Sequence, residues 1–251
     1  MHVGLFIPCY VDQLAPEVGM ATVRVLEAAG CRVDYDPRQT CCGQPFLNLG
    51  AAAEAVRLAR LHLDRFAHHE AVVCPSASCV STVRNHYAEL GVGIDATGRR
   101  IRERTFELGE FLVNRLGRVE LGARFPHRVV LLQSCHGLRE LGLGSGSESP
   151  GSPLPGVTER LLRAVDGLEL LLPERPDECC GFGGAFSVEF PEVSGRMGNA
   201  RLDALEATGA EFVTGTDTSC LLHLEGIRRR RGRGLRALHL AEILAAREER
   251  A

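Results

Sequence analysis

Short apolar runs recur along the chain at Val3–Pro8, Arg32–Asp36, Ala71–Pro75, Val129–Gln133, Leu168–Leu172 and Glu211–Gly215. They look like buried strands of a parallel sheet. Between them apolar residues return at helical spacing. From Asn48 to Ala67, for example, Leu49, Ala53, Val56, Ala59, Leu63 and Phe66 form one stripe, and Arg57, Arg60, Asp64 and Arg65 lie outside it. Asn48 is the expected N-cap of that helix. Strand and helix alternating in this way predict an α/β fold.

The pattern occurs twice. Thr105–Arg115 and Ala237–Arg247 match at Leu108/Leu240, Glu110/Glu242, Leu112/Leu244 and Arg115/Arg247, an offset of 132 residues. Cysteines repeat at similar offsets: Cys9 to Cys135 by 126, Cys41 to Cys179 and Cys42 to Cys180 by 138, and Cys79 to Cys220 by 141. This predicts two tandem Rossmann-like units, 1–120 and 121–251, related by pseudo-twofold symmetry. Each runs strand, Cys, helix, strand, Cys-Cys-Gly, helix, strand, Cys, helix. The Gly142–Gly156 insertion, rich in Gly, Ser and Pro, reads as a mobile surface loop that lengthens the second unit.

Composition narrows the chemistry. With 251 residues, 45% hydrophobic and 24% charged, the chain has enough apolar material for a core without staples. All 29 basic residues are Arg, which removes Schiff-base chemistry and a P-loop lysine. No apolar run reaches the roughly 18 to 20 residues of a bilayer span, and Met1–Pro16 lacks the layout of a leader, so the expected setting is cytoplasmic without membrane insertion. Ten cysteines are the anomaly. In a reducing compartment they point to metal or redox work rather than disulfides.

In each unit the single Cys, the Cys-Cys pair and the last Cys follow three successive strands. The carboxyl ends of parallel strands share one edge, where ligands bind. Cys9, Cys41, Cys42 and Cys79 are thus expected at one site, and Cys135, Cys179, Cys180 and Cys220 at another. Four thiolates suit an iron–sulfur cluster, with Gly43 and Gly181 permitting the sharp turn that adjacent ligands need. Four thiolates also suit zinc, although short Cys-x-x-Cys knuckles are absent. A thiol relay through Cys41–Cys42, or a set of inert buried thiols, fits the spacing too.

The segments FIPCYVDQLAPEVG (Phe6–Gly19), QTCCGQPFLNLG (Gln39–Gly50), CPSASC (Cys74–Cys79), SCHGLREL (Ser134–Leu141), CCGFGGAFSVEFPEVSGRM (Cys179–Met197) and DTSCLLHLEG (Asp217–Gly226) follow one another in order. Through them the chain resembles the cysteine-rich CCG domain family, and within it the lactate utilization protein A branch. Relatives in that family include the B subunit of heterodisulfide reductase and the iron–sulfur subunit of glycolate oxidase. The resemblance implies cysteine-bound iron–sulfur clusters, of [4Fe-4S] type, one or two per chain. It further implies a redox subunit in L-lactate oxidation to pyruvate, working beside a ferredoxin-like iron–sulfur subunit and a third subunit rather than as a complete enzyme. The alternatives are a heterodisulfide-reductase-like thiol–disulfide oxidoreductase and a zinc-stabilised interaction protein. The heterodisulfide reductase pattern uses five thiolates around a noncubane cluster. Here only unit one offers a fifth, Cys74, whose place inside a strand favours a structural thiol; unit two has Gly215 or Thr216 near the matching position.

Other residues read more plainly. Cys31 has no counterpart and is expected in the core. His136 reads as a polar neighbour of Cys135, and Asp217 as the cap of the helix bearing Cys220. The Arg228–Arg231 run with Arg233 lacks interleaved aromatics, so it reads as a solvated helix end and not a nucleic-acid site; docking of an acidic redox partner is its functional alternative.

Overall fold

The computed structural model describes residues 1–146 and 155–247. Residues 147–154, most of the expected mobile loop, lie outside the described residues. The chain divides into two compact units, Met1–Gly117 and Arg118–Ala251.

Unit one is a parallel sheet of β1 (His2–Leu5), β2 (Arg32–Asp34), β3 (Ala71–Cys74) and β4 (Thr105–Glu107), in the order β2-β1-β3-β4. Unit two repeats it with β5 (Arg128–Leu131), β6 (Glu169–Leu171), β7 (Phe212–Gly215) and β8 (Arg236–His239), in the order β6-β5-β7-β8. Even the register corresponds: Val3 pairs with Ala71, and Val129 with Phe212. The fold is therefore α/β in two tandem units, and its inner strands are apolar because helices cover both faces. Val3, Leu5, Val72 and Val73 in unit one, and Val129, Val130 and Val213 in unit two, are buried.

Each sheet has a fourth strand that the sequence pattern did not announce. β4 and β8 are short and turn at once into helices closed by capping boxes, Glu107 with Glu110 and His239 with Glu242. Glu110 and Glu242 are one of the repeated pairs, so the matched segments are strand-to-helix corners rather than plain helices. A second difference concerns Asn48. It ends a short helix, Gln44–Asn48; the chain turns through Gly50 at φ 74° and restarts as the Ala52–Phe66 helix. With the start displaced, the buried stripe is Ala55, Leu58, Ala59, His62 and Phe66, while Leu49 is exposed. Among the described residues no helix is long and apolar enough to cross a membrane.

Candidate metal centre

In both units the cysteines lie beyond the carboxyl ends of the first three strands. Cys9 opens the Cys9–Leu14 helix after β1, Cys41 and Cys42 follow β2, and Cys79 sits in the Ala77–Ser81 helix after β3. Correspondingly, Cys135 follows β5, Cys179 and Cys180 follow β6, and Cys220 lies in the first turn of the Thr218–Arg231 helix after β7. The sulfurs converge. Cys9 donates to Cys41 Sγ over 3.7 Å, and the Cys42 thiol bonds both Cys41 and Cys79. In unit two Cys135 bonds Cys179, Cys180 bonds Cys179, and Cys180 donates to Cys220 Sγ over 2.9 Å. All ten cysteines are free thiols.

The Cys-Cys-Gly turn works alike at both sites. Gly43 at φ 92° and Gly181 at φ 85° take left-handed backbone, and each donates its N–H to the first sulfur of its pair, Cys41 at 3.4 Å and Cys179 at 3.3 Å. At Gly181 a side chain is also excluded by space: a Cβ would stand 2.7 Å from Met197 Cβ and 2.8 Å from the Ser194 carbonyl.

These contacts divide the thiols. Hydrogen bonds from Cys42 and Cys9, then the Gly43 N–H, hold Cys41 down at about 3. Bonds from Cys135 and Cys180, then the Gly181 N–H and the nearby Arg139 guanidinium, hold Cys179 down at about 2. The donors move the other way. Cys9 and Cys135 are raised by the bonds they give and by burial, as are Cys42 and Cys180. Sulfurs this close cannot all ionise against one another, and a shared cation is what lets every member of such a set become a thiolate. The donor set is all sulfur, which suits a metal or iron–sulfur centre.

The second sphere carries residues that spacing did not reveal. The Tyr87 hydroxyl, buried, donates to the Cys42 carbonyl at 2.9 Å. Gln39 ties the Cys-Cys loop to β1, accepting from Ile7 N at 2.6 Å and donating to the Leu5 carbonyl at 3.1 Å. In unit two Arg201 is wholly buried and donates to the carbonyls of Arg175 and Pro176 at 2.6 and 3.1 Å, anchoring the approach to Cys179. A buried guanidinium is not expected from an amphipathic pattern.

The remaining candidates fall as follows. Cys74, fully buried at the end of β3, reaches the Cys79 thiol, so unit one brings a fifth sulfur to its set. Gly215 stands at the matching place in β7, where a Cβ would lie 2.7 Å from the Leu132 carbonyl; a fifth thiol has no room. Cys31 is buried between the Pro16–Ala28 helix and β2. His136 faces Glu140 at 3.8 Å. Asp217 occupies the N-cap position but makes no capping bond there; its carboxylate takes the Ser134 hydroxyl, joining the Cys135 loop to the helix of Cys220. In unit one Ser76 does cap, accepting from Cys79 N at 3.3 Å. The arginine run ends the Thr218–Arg231 helix, with Arg228 and Arg229 on Glu225 and Arg231 on Asp203.

The family model described as a cysteine-rich domain, CCG, matches twice, over residues 3–84 and 129–225, and so takes in each thiol set entire. The chain belongs to the cysteine-rich CCG domain family. Its similarity to curated relatives runs over nearly the whole chain. It is 38% identical over 247 residues to a lactate utilization protein A of Macrococcus caseolyticus, covering 97% of this chain and 96% of that one. It is 38% identical over 249 residues to that of Geobacillus kaustophilus and 37% identical to that of Bacillus velezensis, each covering 98% of this chain and 100% of the relative.

Proposed function

We propose that this CCG protein is an iron–sulfur redox subunit of an L-lactate oxidation system. The observation that carries the reading is the repeated four-thiol site, each with one sulfur already accepting thiol and backbone N–H donors. Cys9, Cys41, Cys42 and Cys79 would hold one [4Fe-4S] cluster, and Cys135, Cys179, Cys180 and Cys220 a second. A bound cluster supplies one-electron transfer. The chain's own residues set its surroundings: the Gly43 and Gly181 N–H groups lower the charge on the sulfurs, Tyr87 and Gln39 fix the loop of Cys41 and Cys42, and Arg201 fixes that of Cys179.

The lactate role rests on relatives named lactate utilization protein A that align over nearly the whole chain. In this reading the chain works in the cytoplasm with a ferredoxin-like iron–sulfur subunit and a third subunit, and is one component of an oxidoreductase. The fifth thiol, Cys74, favours a second reading for unit one alone, a heterodisulfide-reductase-like centre with thiol–disulfide chemistry.

The test is anaerobic reconstitution followed by iron, sulfide and zinc analysis, then lactate-dependent dye reduction by the chain alone and with both partner subunits. Iron with acid-labile sulfide, and activity that needs the partners and falls in Cys41→Ser and Cys179→Ser, are expected. Stoichiometric zinc without sulfide sinks the cluster reading. Reduction of a heterodisulfide by the chain alone, with no lactate oxidation on adding partners, favours the second.

A further inference from the structure

Outside the two sets of thiols, His2 at the start of β1, Asp34 at the end of β2 and His69 bring one ligand atom each to within 4.8 Å of one another. The sheet builds this place. β1 and β2 pair in parallel with Gly4 opposite Asp34, so His2, Gly4 and Asp34 share one face. His69, from the turn before β3, lies over that face in the gap Gly4 leaves: a Cβ on Gly4 would stand 2.7 Å from the His69 ring. Its ring is almost fully buried, while the Asp34 side chain is 45% exposed.

We propose that His2, Asp34 and His69 form a binding site for a divalent transition ion of the zinc class, separate from the cysteine centres. Two imidazoles and a carboxylate are a donor set for such an ion, with further positions left to water on the open side. His69 Nε2 and Asp34 Oδ2 stand 2.8 Å apart. Ligands that are each about 2.0 to 2.2 Å from one ion stand about that far from each other when they subtend a right angle. The other nitrogen of His69, Nδ1, is buried without a hydrogen-bond partner. Without an ion the Asp34 carboxylate is the hydrogen-bond partner of Nε2; for Nε2 to ligate, the ring carries its proton on Nδ1 instead, and the ion takes the place of that hydrogen bond. His2 completes the triad with its ring centroid 5.5 Å from that of His69. A plain His–Asp pair explains the 2.8 Å contact but not the third ligand gathered over a glycine-made hollow.

The test uses the full chain, dialysed anaerobically against excess zinc so that the thiol sets are filled as well. Wild type is expected to hold one zinc more than Asp34→Asn, whose exposed position spares the fold, and to bind that zinc more than about tenfold tighter. His69→Gln gives the same loss if it folds. In imidazole nitrogen NMR the zinc shifts His2 and His69 and leaves the buried His62 unchanged. Equal zinc content in wild type and Asp34→Asn, or no shift at His2 and His69, overturns the proposal. Filling of the thiol sets affects neither comparison, so this inference and the cluster reading fail separately.

Discussion

Replacing His62 with leucine should remove one component of the acid sensitivity of unit one. His62 lies on the Ala52–Phe66 helix, 4% exposed, with its ring centroid 4.7 Å from those of Phe6 and Phe66 and 5.7 Å from that of Tyr87. Its Nε2 has no hydrogen-bond partner. Burial pushes the imidazole down to about 3 from its ordinary 6.5. The unfolded chain therefore binds a proton below 6.5 that the folded chain refuses until about 3. Stability falls as pH drops through 6.5, and the loss levels off near 3. By linkage the loss is about 2 kcal/mol at about pH 5 and about 0.2 kcal/mol at about pH 7. With a urea slope of roughly 1 to 3 kcal/mol per molar, the midpoint drops by about 1 M. Leucine is close to histidine in volume and carries no proton, so His62→Leu should flatten this part of the profile. The readout is specific, because the chain has no Trp and its three tyrosines, Tyr10, Tyr35 and Tyr87, all lie in unit one. Tyrosine fluorescence in urea thus follows that unit. Every other titrating group is common to both proteins, and the difference between the two pH profiles isolates His62. Parallel loss of stability in wild type and His62→Leu would refute the reasoning.

Gly181→Ala should cost more than Gly43→Ala in iron retained after reconstitution. Both positions carry positive φ, but a Cβ at Gly43 meets nothing closer than 3.5 Å, while at Gly181 it meets Met197 Cβ at 2.7 Å; equal losses in iron analysis would argue against the steric account. Arg201→Met should destabilise unit two by about 2 to 3 kcal/mol by stranding the Arg175 and Pro176 carbonyls. Thiol accessibility checks it, since Cys179 should react faster with a maleimide and Cys41 at an unchanged rate. Cys79→Ser and Cys220→Ser should remove different paramagnetic signals after reconstitution, and loss of one identical signal from both would count against two inequivalent centres. Cys31→Ser should leave the iron content intact.

Six of the eight strands were legible in the sequence as short runs between helical patterns; four of them, β1, β3, β5 and β7, are largely buried, while β2 and β6 are partly exposed edge strands. β4 and β8 were not. Thr105–Glu107 and Arg236–His239 are too short to show a period of two before Glu107 and His239 begin their caps, so the repeat Leu-x-Glu-x-Leu reads as helix from end to end. The meeting of the cysteines was legible from a single rule, that parallel strands share a carboxyl edge. What the sequence could not display was which polar residues are buried. Arg201 reads as one more surface arginine on an amphipathic helix, and only the fold places it beneath the Arg175–Glu178 turn. Tyr87 and His62 read as isolated polar aromatics until the Ala52–Phe66 helix brings them together. Gly4 reads as a weak point in a strand; its purpose, room for His69, depends on the turn before β3.

The two thiol sets share a backbone and differ in what surrounds it, which is where a duplicated site can acquire two tasks. Unit one adds the Cys74 sulfur next to Cys79 and the Tyr87 hydroxyl on the Cys42 carbonyl. Unit two closes the first option with the Leu132 carbonyl against Gly215 and places the Arg139 cation where it opposes the rise at Cys135 and adds to the lowering of Cys179. A cation beside thiolates favours the more negative state of whatever they bind, while an added thiolate does the opposite. If both sets hold clusters as proposed, the one in unit two is expected at the higher reduction potential, set by residues outside either set of four cysteines; redox titration of the reconstituted Cys79→Ser and Cys220→Ser variants checks it, and equal potentials or the reverse order would refute it.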